Sequence, residues 1–331
     1  MKVKFRFTLI ALAALFAFGL SSAFAADISI DVNCTMKPGG SEEAAIQKFK
    51  EIVEKESGGR MEVNVFMSGQ LGKEKAVLEL MKIGQTQMAL TGGIFRTMFA
   101  KQYDPITIPF YLPSWQVVKA YLEGPMGQKI GELAEEKGGV IDFGPQKRAA
   151  RHMTTNKVVS MPEDIEGLKM RLPAIPIWVD VWKELGALPT VIPAPEIYLA
   201  MKTGQVESHE NSLVSPYSRK LWEVQDYVIL TGHVFFPWHW VASEKWFDKL
   251  SPEDQELIEK AVDEARAYGD RVEDEKDAFY AEFLKEKGMI FIDPNNKAIR
   301  EAAMPAIEKA VAELSPDVPA EVDRLVEKYG N

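Results

Sequence analysis

From Ser251 to Lys287 the chain carries a helix-compatible run in which Pro252 stands at the start and Gly269 is the only later glycine or proline. Ser251-Pro252-Glu253-Asp254 reads as a capped start with proline at the first helical position. One helix of about 36 residues, rising 1.5 Å per residue, is roughly 54 Å long. That is more than either half of a two-lobed protein needs, so it predicts a rod bridging both. The alternative is two helices broken near Gly269. Length points the same way, because 331 residues exceed what one compact core usually absorbs.

Residues 1–25 read as an export signal. Lys2, Lys4 and Arg6 precede an apolar run from Phe7 to Leu20, and Ala23-Phe24-Ala25 offers a small-x-small cleavage site. The apolar run is shorter than the ~20 residues that span a bilayer, which argues against an anchor. The expected mature protein begins at Ala26, is soluble and periplasmic, and is a monomer. Losing three cations and no acids takes its formal charge from -10 to -13. Such an acidic body is a poor partner for nucleic acid. It also repels small anions at long range, so any anion site must rely on local, preorganised donors.

The first half alternates strand and helix patterns. Ile28 to Val32 reads as a strand, and Ser41 reads as the cap of a helix ending at Gly58-Gly59. Met61 to Phe66, a helix from Lys73 to Lys82 and a strand from Gln87 to Thr91 complete a β-α-β-α-β start typical of parallel sheets. Thr91-Gly92-Gly93 ends a strand where open α/β sheets bind ligands, or else forms an ordinary turn. A second α/β region starts near Gln146 to Arg151, with strands around Ala150 to Thr155 and Leu168 to Leu172 and a helix from Pro176 to Leu185. Strands near Tyr227 to Thr231 and Phe236 to Val241 read as a return path. Pro305 is expected to interrupt the later helical pattern.

Lys169-Met170-Arg171-Leu172 alternates charged and apolar residues with the period of a strand. A guanidinium on such a rigid element is costly to desolvate alone, and its planar fork suits a carboxylate or phosphate. The competing reading pairs Arg171 with Glu163, Asp164 or Glu166. Catalytic chemistry finds little support. The four histidines are scattered, His209-Glu210 lacks the second histidine of a zinc helix, and Cys34, the only cysteine, has no base beside it. No catalytic residue, metal or cofactor is expected.

Pro162-Glu163-Asp164-Ile165-Glu166-Gly167-Leu168-Lys169-Met170-Arg171-Leu172-Pro173 is followed by Leu185-Gly186-Ala187, by Glu196-Ile197-Tyr198-Leu199-Ala200-Met201-Lys202-Thr203-Gly204-Gln205-Val206-Glu207, and by Glu210-Asn211. With Ser68-Gly69-Gln70-Leu71-Gly72 and Trp246-Phe247-Asp248-Lys249-Leu250-Ser251-Pro252-Glu253, the chain resembles the solute-binding subunit of tripartite ATP-independent periplasmic (TRAP) transporters. The resemblance covers almost the whole mature chain. It implies an α/β, two-lobed periplasmic binding protein fold with crossing hinge strands and a long bridging helix. The expected lobes are 26–148 plus 237–276, and 149–236 plus 277–331. It also implies that Arg171 binds a ligand carboxylate, that Arg151 assists it, that Asn211 completes the clamp, and that the partners are an organic acid and membrane permease subunits. A sensory binding protein feeding a receptor would need the same closing cleft.

The chain departs from the family pattern at Glu207-Ser208-His209-Glu210-Asn211-Ser212, where His209 is either an added donor to the ligand or a packed histidine. Ala194 stands where some relatives place a phenylalanine, leaving room for a bulkier solute. Trp178, Trp238 and Trp240, three of seven tryptophans, are expected to border the cleft, as is Thr91. Aromatic walls favour a monocarboxylate with an aromatic or bulky apolar body, such as an indole or aryl acid. A sugar acid or dicarboxylate is the alternative.

Overall fold

The computed structural model describes residues 27–330; the expected export signal lies outside them. In chain order the first part comprises β1 (Ile28–Cys34), α1 (Ser41–Glu56), β2 (Met61–Phe66), α2 (Glu74–Lys82), β3 (Met88–Thr91), α3 (Ile94–Phe99), α4 (Trp115–Leu122), α5 (Pro125–Gly138) and β4 (Val140–Gln146). Next come β5 (Arg151–Thr155), β6 (Lys169–Leu172), α6 (Pro176–Glu184), β7 (Leu188–Val191), α7 (Ile197–Lys202), β8 (Ser208–Asn211), α8 (Val214–Ser218) and β9 (Tyr227–Val234). The chain closes with β10 (Trp238–Ser243), α9 (Glu244–Phe247), α10 (Pro252–Glu286), β11 (Ile290–Ile292), α11 (Asn296–Val311) and α12 (Asp317–Tyr329).

Two sheets result, ordered β2-β1-β3-β10-β4 and β11-β9-β5-β8-β6-β7. β1 pairs parallel with β2 and β3, as the alternating pattern predicts, while β10 enters antiparallel between β3 and β4. The chain crosses between the sheets at 147–150 and again at 235–237. β10 places Trp240 against Phe49 of α1 at 5.3 Å between ring centroids, so this fully buried tryptophan packs in the core and does not border the cleft as expected. On the other face of this sheet a continuous apolar cluster runs from Val118 and Ile130 to Met170 and Trp182 of the second part.

α10 is one unbroken helix of 35 residues, and it packs on α1 and β4 at one end and on α8 at the other. Gly269 does not break it. A Cβ there would lie 2.6 Å from Gln146 Nε2 and 2.9 Å from Ala45 Cβ, so the glycine lets α1 approach closely. Gln146 has no easy escape, because its Oε1 accepts a hydrogen bond from Trp240 Nε1 at 2.9 Å. Gly→Ala in an exposed helix normally stabilises by about 1 kcal/mol. Here Gly269→Ala is expected to destabilise, by about 1–3 kcal/mol from overpacking, as read by urea unfolding.

Two local readings change. Gly40, not Ser41, is the N-cap of α1, because the Ser41 hydroxyl donates to Glu273 Oε2 of α10 at 2.5 Å instead. Pro305 sits inside α11 rather than breaking it. Both Pro305 and Glu301, whose carbonyl loses its partner four residues on, are exposed, so water can satisfy that carbonyl.

Candidate solute-binding site

Sheet pairing gathers the three predicted clamp residues. β5 and β8 are antiparallel with His152 opposite Asn211, which brings the start of β5, carrying Arg151, to the end of β8. β6 runs parallel to β8, with Arg171 opposite His209. Arg151, Arg171 and Asn211 therefore share one end of the second sheet.

Arg171 is only 4% exposed. Its Nε donates to the Ile192 carbonyl at 2.8 Å, while its two terminal nitrogens make no hydrogen bond to a described residue. Among the described residues no carboxylate lies within 4 Å of it. Asp164 is occupied elsewhere, accepting from the Ser160 and Met161 amides at 2.8 and 2.9 Å. Burial lowers the Arg171 pKa; the Glu210 charge opposes that shift and the charges of Arg151 and Arg219 add to it.

Arg151 is already answered. Its Nε and Nη2 hold the Glu210 carboxylate at 2.6 and 2.9 Å, and the face of Trp178 covers its guanidinium at 4.8 Å. Glu210 is fully buried and also meets His233 Nε2 at 3.1 Å. Burial alone pushes the Glu210 carboxyl up, but Arg151 and the His233 hydrogen bond outweigh it and hold it at about 2. Thr231 Oγ1 lies 2.8 Å from His233 Nδ1. Burial keeps His233 below its usual pKa, consistent with a neutral ring whose Nε2–H donates to Glu210.

Asn211 Oδ1 accepts from the Ser212 amide at 2.9 Å, leaving the side-chain NH2 without a partner among the described residues. His209 is fully buried, with Thr154 and Ser215 hydroxyls at 3.5 and 3.4 Å, and desolvation takes its pKa down to about 3. It packs as a core histidine. Thr91 is also buried, at the end of β3, and its Oγ1 has no partner among the described residues. Trp178 and Trp238 are each 3% exposed. Trp178 Nε1 donates to the Thr107 carbonyl at 2.8 Å, and Trp238 carries the Arg148 guanidinium on its face at 4.7 Å.

The sequence reading missed Glu210 as the counterion, and it missed Arg148 and Arg219. Arg148 stands three residues before Arg151 in the crossing segment, and neither Arg148 nor Arg219 has a carboxylate within 4 Å among the described residues. The Arg219 Nε is buried without a hydrogen-bond partner among the described residues. Arg171, Arg219 and the neutralised Arg151 leave this end of the second sheet net positive. Burial lowers the Arg148 pKa and the Arg151 charge adds to that shift, while the charges of Glu42, Glu273 and Glu74 oppose it. Among the described residues no cluster of histidine, cysteine and acid side chains could hold a metal, and no helix is long and apolar enough to cross a membrane.

Residues 33–314 match the family described as DctP, bacterial extracellular solute-binding protein, family 7. A solute-binding protein of Roseobacter denitrificans is 30% identical over 297 residues, covering 90% of this chain and 91% of that protein. Its structure with bound L-galactonate superposes with a TM-score of 0.73 at 28% identity, covering 90% of this chain and 98% of the other. A TRAP periplasmic solute-binding protein from Ochrobactrum anthropi gives a TM-score of 0.86 at 29% identity, covering 91% and 95%. One from a Sulfitobacter species with bound β-D-galacturonate gives 0.76 at 25%, covering 89% and 98%. The chain belongs to this family and is the extracytoplasmic solute-binding subunit of a TRAP transporter.

Proposed function

We propose that the protein is exported by residues 1–25, captures a small organic acid as a monomer, closes around it and delivers it to membrane permease subunits. Arg171 grips the carboxylate through its two free nitrogens, Asn211 adds an uncharged donor, and Arg151 contributes a guanidinium whose charge Glu210 already balances. The observation that carries this reading is a desolvated guanidinium with no counterion within 4 Å among the described residues. A solute that touches both lobes binds the closed form better and shifts the population toward it. Closure also removes water from the Arg171 contact, which strengthens it.

Of the two ligand readings, a hydroxylated acid is favoured over an aryl acid. An aryl body needs open aromatic faces, whereas Trp178 and Trp238 are buried and each has a guanidinium on one face. The relatives with bound L-galactonate and β-D-galacturonate point the same way. A thermal-shift panel of aldonates, uronates, dicarboxylates, indole and aryl acids and neutral sugars tests this. Bound ligand at 100 times its Kd stabilises by about 2.7 kcal/mol. The melting temperature is expected to rise with hydroxylated acids and stay level with the uncharged sugars. A rise with neutral sugars, or with aryl acids alone, contradicts the reading.

A further inference from the structure

Phe110, between α3 and α4, takes a backbone conformation that its side chain resists. Its φ is 63°, it follows Pro109, and it sits in a turn that the Tyr111 amide closes onto the Ile108 carbonyl at 3.3 Å. Proline followed by a residue at positive φ is the pattern of a type II turn, in which glycine is the usual second residue. A bulky aromatic there is strained, and such strain persists only where the surroundings hold it. They do so here. The Phe110 amide donates to the His233 carbonyl at 2.7 Å, and Arg300 Nε donates to the Phe110 carbonyl at 2.9 Å. The buried ring meets Trp182 edge-on at 5.8 Å and lies 5.7 Å from the His233 imidazole.

The same stretch reaches the site a second time. The Thr107 carbonyl, three residues earlier, accepts a hydrogen bond from Trp178 Nε1 at 2.8 Å. Trp178 covers the Arg151 guanidinium at 4.8 Å, while His233 Nε2 meets the Glu210 carboxylate that grips Arg151 Nε and Nη2. Arg151 is thus supported on its face by Trp178 and along its edge by Glu210 and His233, and residues 107–110 anchor both supports. Arg151 Nη1 makes no hydrogen bond to a described residue. The anchoring stretch belongs to neither sheet, but Pro105 and Pro109 each fix a φ angle and stiffen it. Filling a core gives no reason to place an aromatic ring on a glycine conformation. Holding two supports of one arginine at once does.

We propose that Phe110 and the Thr107 carbonyl position Arg151 for the solute carboxylate, one through His233 and Glu210 and the other through Trp178. Phe110 is a positioning residue, since it touches the groups that hold Arg151 rather than the solute. The proposal rests on Arg151 belonging to the carboxylate clamp.

Two variants of the mature protein test it. Phe110→Gly keeps the turn, because glycine takes positive φ freely, and removes the ring. Trp178→Phe keeps an aromatic face beside Arg151 and removes the hydrogen bond to Thr107. Proton–nitrogen NMR follows the Arg151 Nε–H, identified by its disappearance in Arg151→Lys, and titration calorimetry follows L-galactonate and D-galacturonate. In the wild type this proton is expected to exchange slowly with water. In both variants it is expected to exchange at least about fivefold faster, and the acid to bind about fivefold more weakly, the equivalent of one supporting hydrogen bond. A Phe110 that only packs lowers the urea midpoint and leaves both readouts at their wild-type values. That result in the folded variants overturns the proposal, as does faster exchange with unchanged affinity. If Phe110→Gly does not fold, Trp178→Phe decides alone. Wild-type protein that binds neither acid counts against the proposed ligand class, and the Arg151 exchange rate then decides the positioning role by itself.

Discussion

Arg171→Ala is expected to weaken binding of any carboxylate solute by at least about 100-fold, about 3 kcal/mol or more, the cost of removing one partner from a desolvated charge pair. The fold should tolerate the change. Only one protein hydrogen bond is lost, from Nε to Ile192, and the guanidinium that disappears is one the folded state holds at a desolvation cost. The ligand-free variant is therefore expected to melt at the wild-type temperature or slightly above it. Arg171→Lys keeps the charge but loses the planar fork, so its affinity should fall between the two. Calorimetry for binding and thermal unfolding for stability check both halves. A variant that loses affinity because it no longer folds would contradict the assignment.

Glu210→Ala is expected to destabilise the protein by about 3 kcal/mol or more, because breaking a buried pair leaves its partners uncompensated. The stranded groups are Arg151 and His233. Removing Arg151 as well should return part of the loss, which a double-mutant cycle measures. The same pair sets a pH dependence. The Glu210 carboxyl sits at about 2 in the folded state against an ordinary 4.5. Its contribution is fully present above pH 4.5 and drains away as pH falls from there toward 2. Urea unfolding at a series of pH values should show this loss in the wild type and a shallower slope in Glu210→Gln. Equal slopes would remove Glu210 from the account.

Local physics made much of the fold legible. β2 and the uninterrupted α10 follow from periodicity and capping, because each buries one face and carries its own stop signals. Ser41 and Pro305 were misread because tertiary partners decided them. A carboxylate 232 positions away took the Ser41 hydroxyl, and solvent exposure rather than helix chemistry made Pro305 tolerable. The clamp positions of Arg171, Arg151 and Asn211 came from the family resemblance, and strand pairing brings them to one end of the second sheet.

The electrostatic state of the site was not legible. Nothing local says that Glu210, one residue before Asn211, turns inward to neutralise Arg151, or that Arg148 lies on Trp238 with no carboxylate within 4 Å among the described residues. Both depend on which side of a strand faces the crossing chain, and a one-residue change of register would invert them. Trp178 and Trp238 show the same limit. Composition marked them as cleft residues, but only packing reveals that an arginine already covers one face of each ring.

A crystal structure of the protein loaded with a hydroxylated acid tests the central claim most directly. The account predicts closed lobes with the solute carboxylate on the two terminal nitrogens of Arg171 at about 2.7–2.9 Å. A solute seated elsewhere, with the Arg171 guanidinium bonded only to protein atoms, would contradict it.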